Sequence, residues 1–149
     1  MSYHNLQADL TGLVQQLQKY SEDVMSDIDK EADKVANRAK KRLKDASPYR
    51  EHKSSDTSKH YRDSWKKKKS KRTSRFKTEE GIQILSATKP HLTHLLENGH
   101  RVVLPEGSEF KNPAAKRFVE GKKHIEPVQE QANEEFLVAI DEILRRHGK

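Results

Sequence analysis

The apolar residues of this chain gather into a few periodic segments, separated by stretches that are almost wholly polar. Between Asn5 and Tyr20, Leu6, Leu10, Leu13, Val14 and Leu17 recur at three- and four-residue spacing, one face of a helix. Gly12 interrupts that run and leaves open, as an alternative to the helix, a short strand or turn leading into a helix near Leu13. Ser21, followed by Glu22 and Asp23, reads as the N-cap of a second helix. Its stripe of Val24, Ile28, Ala32, Val35, Ala39 and Leu43 lasts about six turns. Lys40, Lys41, Arg42 and Lys44 complement its C-terminal end, and Ser47-Pro48 stops it, because proline disfavours helical geometry in the residue before it.

Tyr49 to His60 has no apolar period and predicts a loop. Tyr61 to Lys77 predicts two basic strands, roughly 61–69 and 73–79, joined by a polar turn. Ile82 and Ile84 alternate with polar residues after Gly81 and mark a further strand. Pro90 opens a short helix whose buried face is Leu92, Leu95 and Leu96, and Gly99 ends it. Arg101 to Leu104 predicts a brief strand, and Ala114 to Val119 one or two helical turns. From Pro127 to His147 a long helix carries Val128, Ala132, Phe136, Ile140, Ile143 and Leu144. Glutamates load its start, and Arg145, Arg146 and His147 its end. The expected class is α+β: a small antiparallel sheet with long basic strands or loop, flanked by a long N-terminal helix and a C-terminal helix. One domain over residues 1–149 is expected, with a flexible polar and basic excursion at about 49–79 and a variable loop at about 101–123.

Composition sharpens this picture. Of 149 residues, 36% are charged and 32% hydrophobic, and mean hydropathy is −1.09. Leu, Ile, Val and Phe together reach only roughly 20%, the border at which a chain struggles to bury a core alone. Such a chain gains its remaining burial from partner subunits, so an oligomer is expected. Parts of the helical stripes, Val24 with Met25 or Ile143 with Leu144, are candidates for that sharing. The net charge of +7 favours nucleic acid, anionic surfaces or acidic proteins as partners. The absence of cysteine excludes disulfides, thiolate zinc sites and thiol nucleophiles. No secretory leader and no membrane span is read in the sequence, so a soluble protein that is not exported is expected.

Catalytic chemistry finds no support. His91, His94 and Glu97 sit three apart on the short helix, with His100 just beyond, so a metal site is geometrically imaginable. The same helix already commits its leucines to packing and lacks an HExxH pattern, which favours structural or surface histidines. No GxSxG elbow or phosphate-cradling glycine loop occurs, so no catalytic residue, metal or cofactor is assigned. The basic ribbon is the strongest physical signal. Lys59, Arg62, Lys66, Lys67, Lys68, Lys69, Lys71, Arg72, Arg75 and Lys77 stand against a single acid, Asp63. Interleaved Tyr61, Trp65 and Phe76 are spaced as a nucleic-acid stacking surface would require. The favoured alternative has the aromatics, Trp65 above all, anchoring the ribbon to the core. The lysines are then solvated or face an acidic subunit.

Several fragments, taken in order, resemble the tailed-phage tail-completion family, the gene-product-ten-like or neck proteins. Leu95-Leu96-Glu97-Asn98-Gly99-His100 resembles that family's "LExGh" signature. Ala46-Ser47-Pro48 is similar to its helix end, and Tyr61-Arg62-Asp63-Ser64-Trp65 to its "lrxsw" strand start. His124-Ile125-Glu126-Pro127 is similar to its "pHixPa" entry into the last helix. Thr57-Ser58 stands where the family has "TG", and Arg101 to Lys123 replaces a shorter glycine-rich link. The resemblance implies a non-enzymatic subunit of a hexameric ring at the head–tail junction of a virion, assembled in the host cytoplasm. The implied partners are further copies of the chain, the head connector or stopper, and the tail tube or tail terminator. DNA would pass through the ring, and no membrane is involved.

Overall fold

The computed structural model of the chain describes residues 3–49, 60–73, 75, 78–102 and 118–148, with backbone alone at 3–11, 72–73 and 78–80. In order, these form α1 (Tyr3–Ala46), a 3-10 turn (Tyr61–Asp63), β1 (Trp65–Thr73), β2 (Thr78–Ser86), α2 (Pro90–Asn98), β3 (Gly99–Arg101), β4 (Phe118–Glu120) and α3 (Ile125–His147). The class is α+β, with two separate two-stranded antiparallel sheets, β1–β2 and β3–β4. The chain divides into two compact units, one of residues 1–35 with 133–149 and one of residues 36–132. The loop expected at 49–60 falls largely outside the described residues, as does most of the variable loop, at 103–117.

The long N-terminal helix is continuous, 44 residues without the predicted break. Gly12 lies inside it, and Ser21 is a mid-helix residue, not an N-cap. A single interior glycine costs about 1 kcal/mol relative to alanine, too little to stop a helix whose apolar stripe continues in phase on both sides. That stripe runs through Leu13, Leu17, Tyr20 and Val24 at steps of three and four. In the first unit, Val24, Val35 and Ile143 are buried. The His147 Nε2 lies 3.0 Å from Asp27 Oδ2, and its ring meets Tyr20 edge-on at 6.1 Å. Hydrogen bonds from His147 and Lys30 hold the Asp27 carboxyl below its ordinary value. Toward the N-terminal end the same stripe is bare, with Leu13 53% and Leu17 59% exposed. Met25, Leu137, Val138 and Leu144 are exposed as well.

In the second unit, Ala39, Leu43, Tyr61, Trp65 and Val128 form the core, packed by Ala46, Ile84, Leu92, Leu96, Ile125 and Ala132. The hairpin register runs from Trp65 opposite Ser86 to Thr73 opposite Thr78. The second basic strand predicted at 73–79 is therefore displaced. The connection lies between Thr73 and Thr78, and the Ile82–Ile84 segment, expected as a separate strand, is the body of β2. Burial of the Trp65–Ser86 end sets this register, since a slip of one residue would turn Trp65 and Ile84 out of the core.

The short helix α2 keeps its predicted limits, with Pro90 in the first turn and Gly99 after the last residue, its N–H donating to Leu95 O. The strand expected from Arg101 begins two residues earlier, at Gly99. Phe118 and Val119 are extended, not helical, and 114–117 of that predicted turn lie outside the described residues. Phe118, Val119 and Glu120 pair with Arg101, His100 and Gly99. Gly99 has φ 82° and ψ 174°, a backbone region essentially reserved for glycine. A Cβ there would stand 2.5 Å from Val119 O and 2.7 Å from Gly121 N. Gly121 is equally confined, against Gly99 N and Glu97 O. Gly99→Ala is expected to destabilise the fold by about 1–3 kcal/mol from backbone strain alone, before the clash is counted. Chemical denaturation compared with Gly12→Ala, which meets nothing within 4 Å, measures the difference.

Candidate functional site

The family-like fragments converge on one buried polar hub in the second unit. Glu97, at the end of α2, is buried and turns its carboxylate to the first turn of α3. Its Oε2 accepts from the backbone N–H groups of His124 at 2.8 Å and Ile125 at 3.0 Å, and its Oε1 from that of Glu126 at 3.1 Å. Pro127, the next residue, has no N–H to satisfy. The orphan donors that open any α-helix are thus accounted for by one side chain, 27 to 29 residues away in sequence. The carboxylate also sits on the positive end of the α3 dipole.

His124 is 1% exposed, the most enclosed of the buried polar residues described. Its Nδ1 lies 2.7 Å from the Lys122 carbonyl and 2.9 Å from Glu97 Oε2. Both neighbours only accept, so Nδ1 carries a proton. On the other side of the ring, Nε2 is 3.0 Å from the Tyr61 hydroxyl, which can donate to it or accept from it. Tyr61, Trp65 and His124 rings pack edge to face at 5.4–6.3 Å. Trp65 Nε1 donates to Ser47 Oγ at 2.8 Å, and Ser47 in turn donates to Leu43 O. Ser64 links the end of the 3-10 turn to β2, with its Oγ 2.7 Å from Ser86 Oγ and its carbonyl accepting from Ala87 N. Burial pushes the Tyr61 phenol above its ordinary value, Thr93 opposes that, and the Glu97 carboxylate adds to it.

Sequence reading grouped Glu97 with His91, His94 and His100, but the structure separates them. His91 and His94 are exposed on α2, and among the described residues no group of three or more histidines and carboxylates is placed to hold a metal ion. His100 is half-buried on β3, and its Nδ1 is buried without a hydrogen-bond partner among the described residues. Leu95 and Leu96 are half-buried, Leu96 against the core, while Pro127 is exposed. The capping role of Glu97 escaped sequence reading, as did the hydrogen bonds made by Tyr61, Ser47, Ser64 and Ser86.

The basic residues lie on the hairpin and its approach. Lys66, Lys68, Lys69 and Lys71 are exposed on β1, Lys67 is half-buried, and Arg72 is placed by its backbone at the far end of the strand. Arg75 is exposed in the connection, and the Arg62 guanidinium stacks 4.8 Å over the Tyr49 ring. Lys44 bonds Asp63 at 2.7 Å and holds that carboxyl below its ordinary value. The stacking surface read from the sequence is not available: Trp65 is only 5% exposed and Tyr61 is buried beside it, while Phe76 lies outside the described residues.

Burial pushes the Glu97 carboxyl up, but three backbone N–H groups and the charge of His124 outweigh it and hold it below its ordinary value. Its stabilisation is therefore complete above the unfolded value of about 4.3 and is lost as pH falls from there through the lowered folded value. Glu97→Gln is expected to cost about 1.5–3 kcal/mol near neutral pH. It should also flatten the acid limb of stability against pH, which urea denaturation between pH 3 and 7 measures.

Among the described residues no helix is long and apolar enough to cross a membrane. Comparison with protein families matches residues 12–99 to the HK97-gp10-like family, described as "Bacteriophage HK97-gp10, putative tail-component". Searches of curated proteins and of solved structures found no match. The matched span takes in most of α1, the basic hairpin, α2 and Gly99. The chain belongs to the HK97-gp10-like family of bacteriophage tail components.

Proposed function

We propose that this tail component is a ring-forming subunit of the phage neck that completes the tail and joins it to the head connector. In that role it works by fit and not by chemistry. The observation that carries the reading is the bare apolar stripe of α1. Leu13 and Leu17 are exposed on the face that is buried at Val24, and Val14 is exposed beside them. Exposed leucines in a chain this poor in apolar residues favour a surface that a neighbouring subunit covers. Leu137, Val138 and Leu144 offer further apolar area on α3. A surface patch that meets a different patch on the next copy makes a heterologous contact, the kind that closes into rings. The partners in this reading are further copies of the chain, the head connector or stopper, and the tail tube or terminator. The protein would assemble in the host cytoplasm and end in the virion.

Cryo-electron microscopy of the matching virion tests this directly. Density for the chain in a ring between capsid connector and tail tube is expected, and its location elsewhere in the particle would overturn the reading. Leu13→Asp with Leu17→Asp should leave helix content and melting temperature nearly unchanged, since both side chains are exposed. The same variant should block particle assembly, leaving separate heads and tails in a complementation assay. Normal virion yield from it would remove the support that the apolar stripe supplies.

A further inference from the structure

The hairpin register sorts the basic residues into two faces. Trp65, Lys67, Lys69 and Lys71 share one face, with Ser86, Ile84 and Ile82 opposite the first three. That face turns into the core at its Trp65 and Ile84 end. Lys66 and Lys68 share the other face with Leu85 and Gln83. Both lysines are exposed and neither is engaged in an ion pair among the described residues. Across the sheet, the four residues opposite Lys66 to Lys69 are Leu85, Ile84, Gln83 and Ile82. For Lys66 and Lys68 those opposite residues, Leu85 and Gln83, carry no charge.

We infer that this outer face of β1–β2 is a rail for the phosphodiester backbone of duplex DNA. Same-face residues two apart on a strand repeat at about 6.6–6.8 Å, so Lys66 and Lys68 form a short line of like charge. Phosphates are the partners that such lines neutralise, through release of condensed counterions. Lysine is depleted at protein–protein interfaces, which argues against an acidic protein as the occupant. Burial of Tyr61 and Trp65 removes the aromatic platforms that single-strand binding uses. Among the described residues that face carries no aromatic ring, and charge holds the backbone without reading bases. The inference rests on the neck reading for the source of the duplex, since a neck ring encloses the path of the genome.

The test is fluorescence anisotropy of the full chain with a short mixed-sequence duplex, across 50–200 mM NaCl. Binding that is independent of sequence and falls steeply with salt is expected. Lys66→Gln with Lys68→Gln should reduce the slope of log K against log salt by about 1.8, for two phosphate contacts. It should also weaken low-salt binding on the order of tenfold. Lys40→Gln with Lys41→Gln, which removes the same charge from exposed positions of α1, should leave the slope unchanged. Equal effects from the two pairs, no effect from the hairpin pair, or tighter binding to a single strand would each overturn the inference. So would competition by polyglutamate as effective as by duplex, an outcome that points to an acidic protein. Virion microscopy separates the two readings: a chain seen in the neck that binds no duplex sinks only the rail, and a duplex-binding chain absent from the neck sinks only the neck assignment.

Discussion

The carboxylate of Glu97 sits where the start of α3 would otherwise carry unpaired backbone donors. Three backbone donors of the α3 first turn close on it, and His124 presses its ring against the same oxygen. Through that ring the contact reaches Tyr61, and through Tyr61 the indole of Trp65 and the hydroxyl of Ser47 at the end of α1. Every segment of the second unit that resembles the phage family touches this chain of contacts. Among the described residues nine hydrophobic side chains are buried, and a fully satisfied polar hub beside so few of them helps to specify a single arrangement. Removing one member leaves buried groups unpaired, which costs more than the bond itself was worth.

The elements with strong local signals were legible from sequence alone. Pro90 and Gly99 bounded α2, and the stripe from Val24 to Leu43 and the glutamate-to-arginine gradient of α3 marked the long helices. Elements decided by distant contacts were not. Gly12 and Ser21 look like punctuation, but a helix with its stripe in phase runs through them. The turn of the hairpin was placed too early because lysines carry no periodic signal, whereas the register follows from burying Trp65 opposite Ser86. Phe118 and Val119 have a local pattern that reads as helix, yet the close approach of Gly99 and Gly121 draws them into a strand pair.

Glu97 itself shows how a site can hide in plain view. A glutamate in the last turn of a helix opposes that helix's dipole, and a histidine before α3 is a poor N-cap by local rules. Each residue breaks a rule alone, and the two breaks answer each other across the fold. Paired local inconsistencies of this kind were the available signal. The aromatics of the basic segment carried the opposite lesson. Their interleaving with lysines suggested stacking, but indole and phenol are committed inward, and the surface is left to charge.

The β3–β4 pairing has a consequence for how such a protein can diversify. Gly99 against Gly121, and Lys122 N bonded to Leu96 O at 2.7 Å, fasten together the two stems that flank residues 103–117. With the stems pinned, the closure entropy of whatever lies between them grows only slowly, by about 0.6 kcal/mol for each doubling in length. The intervening peptide is then a cassette. A change in its length costs the fold little while the bracket beneath it stays intact.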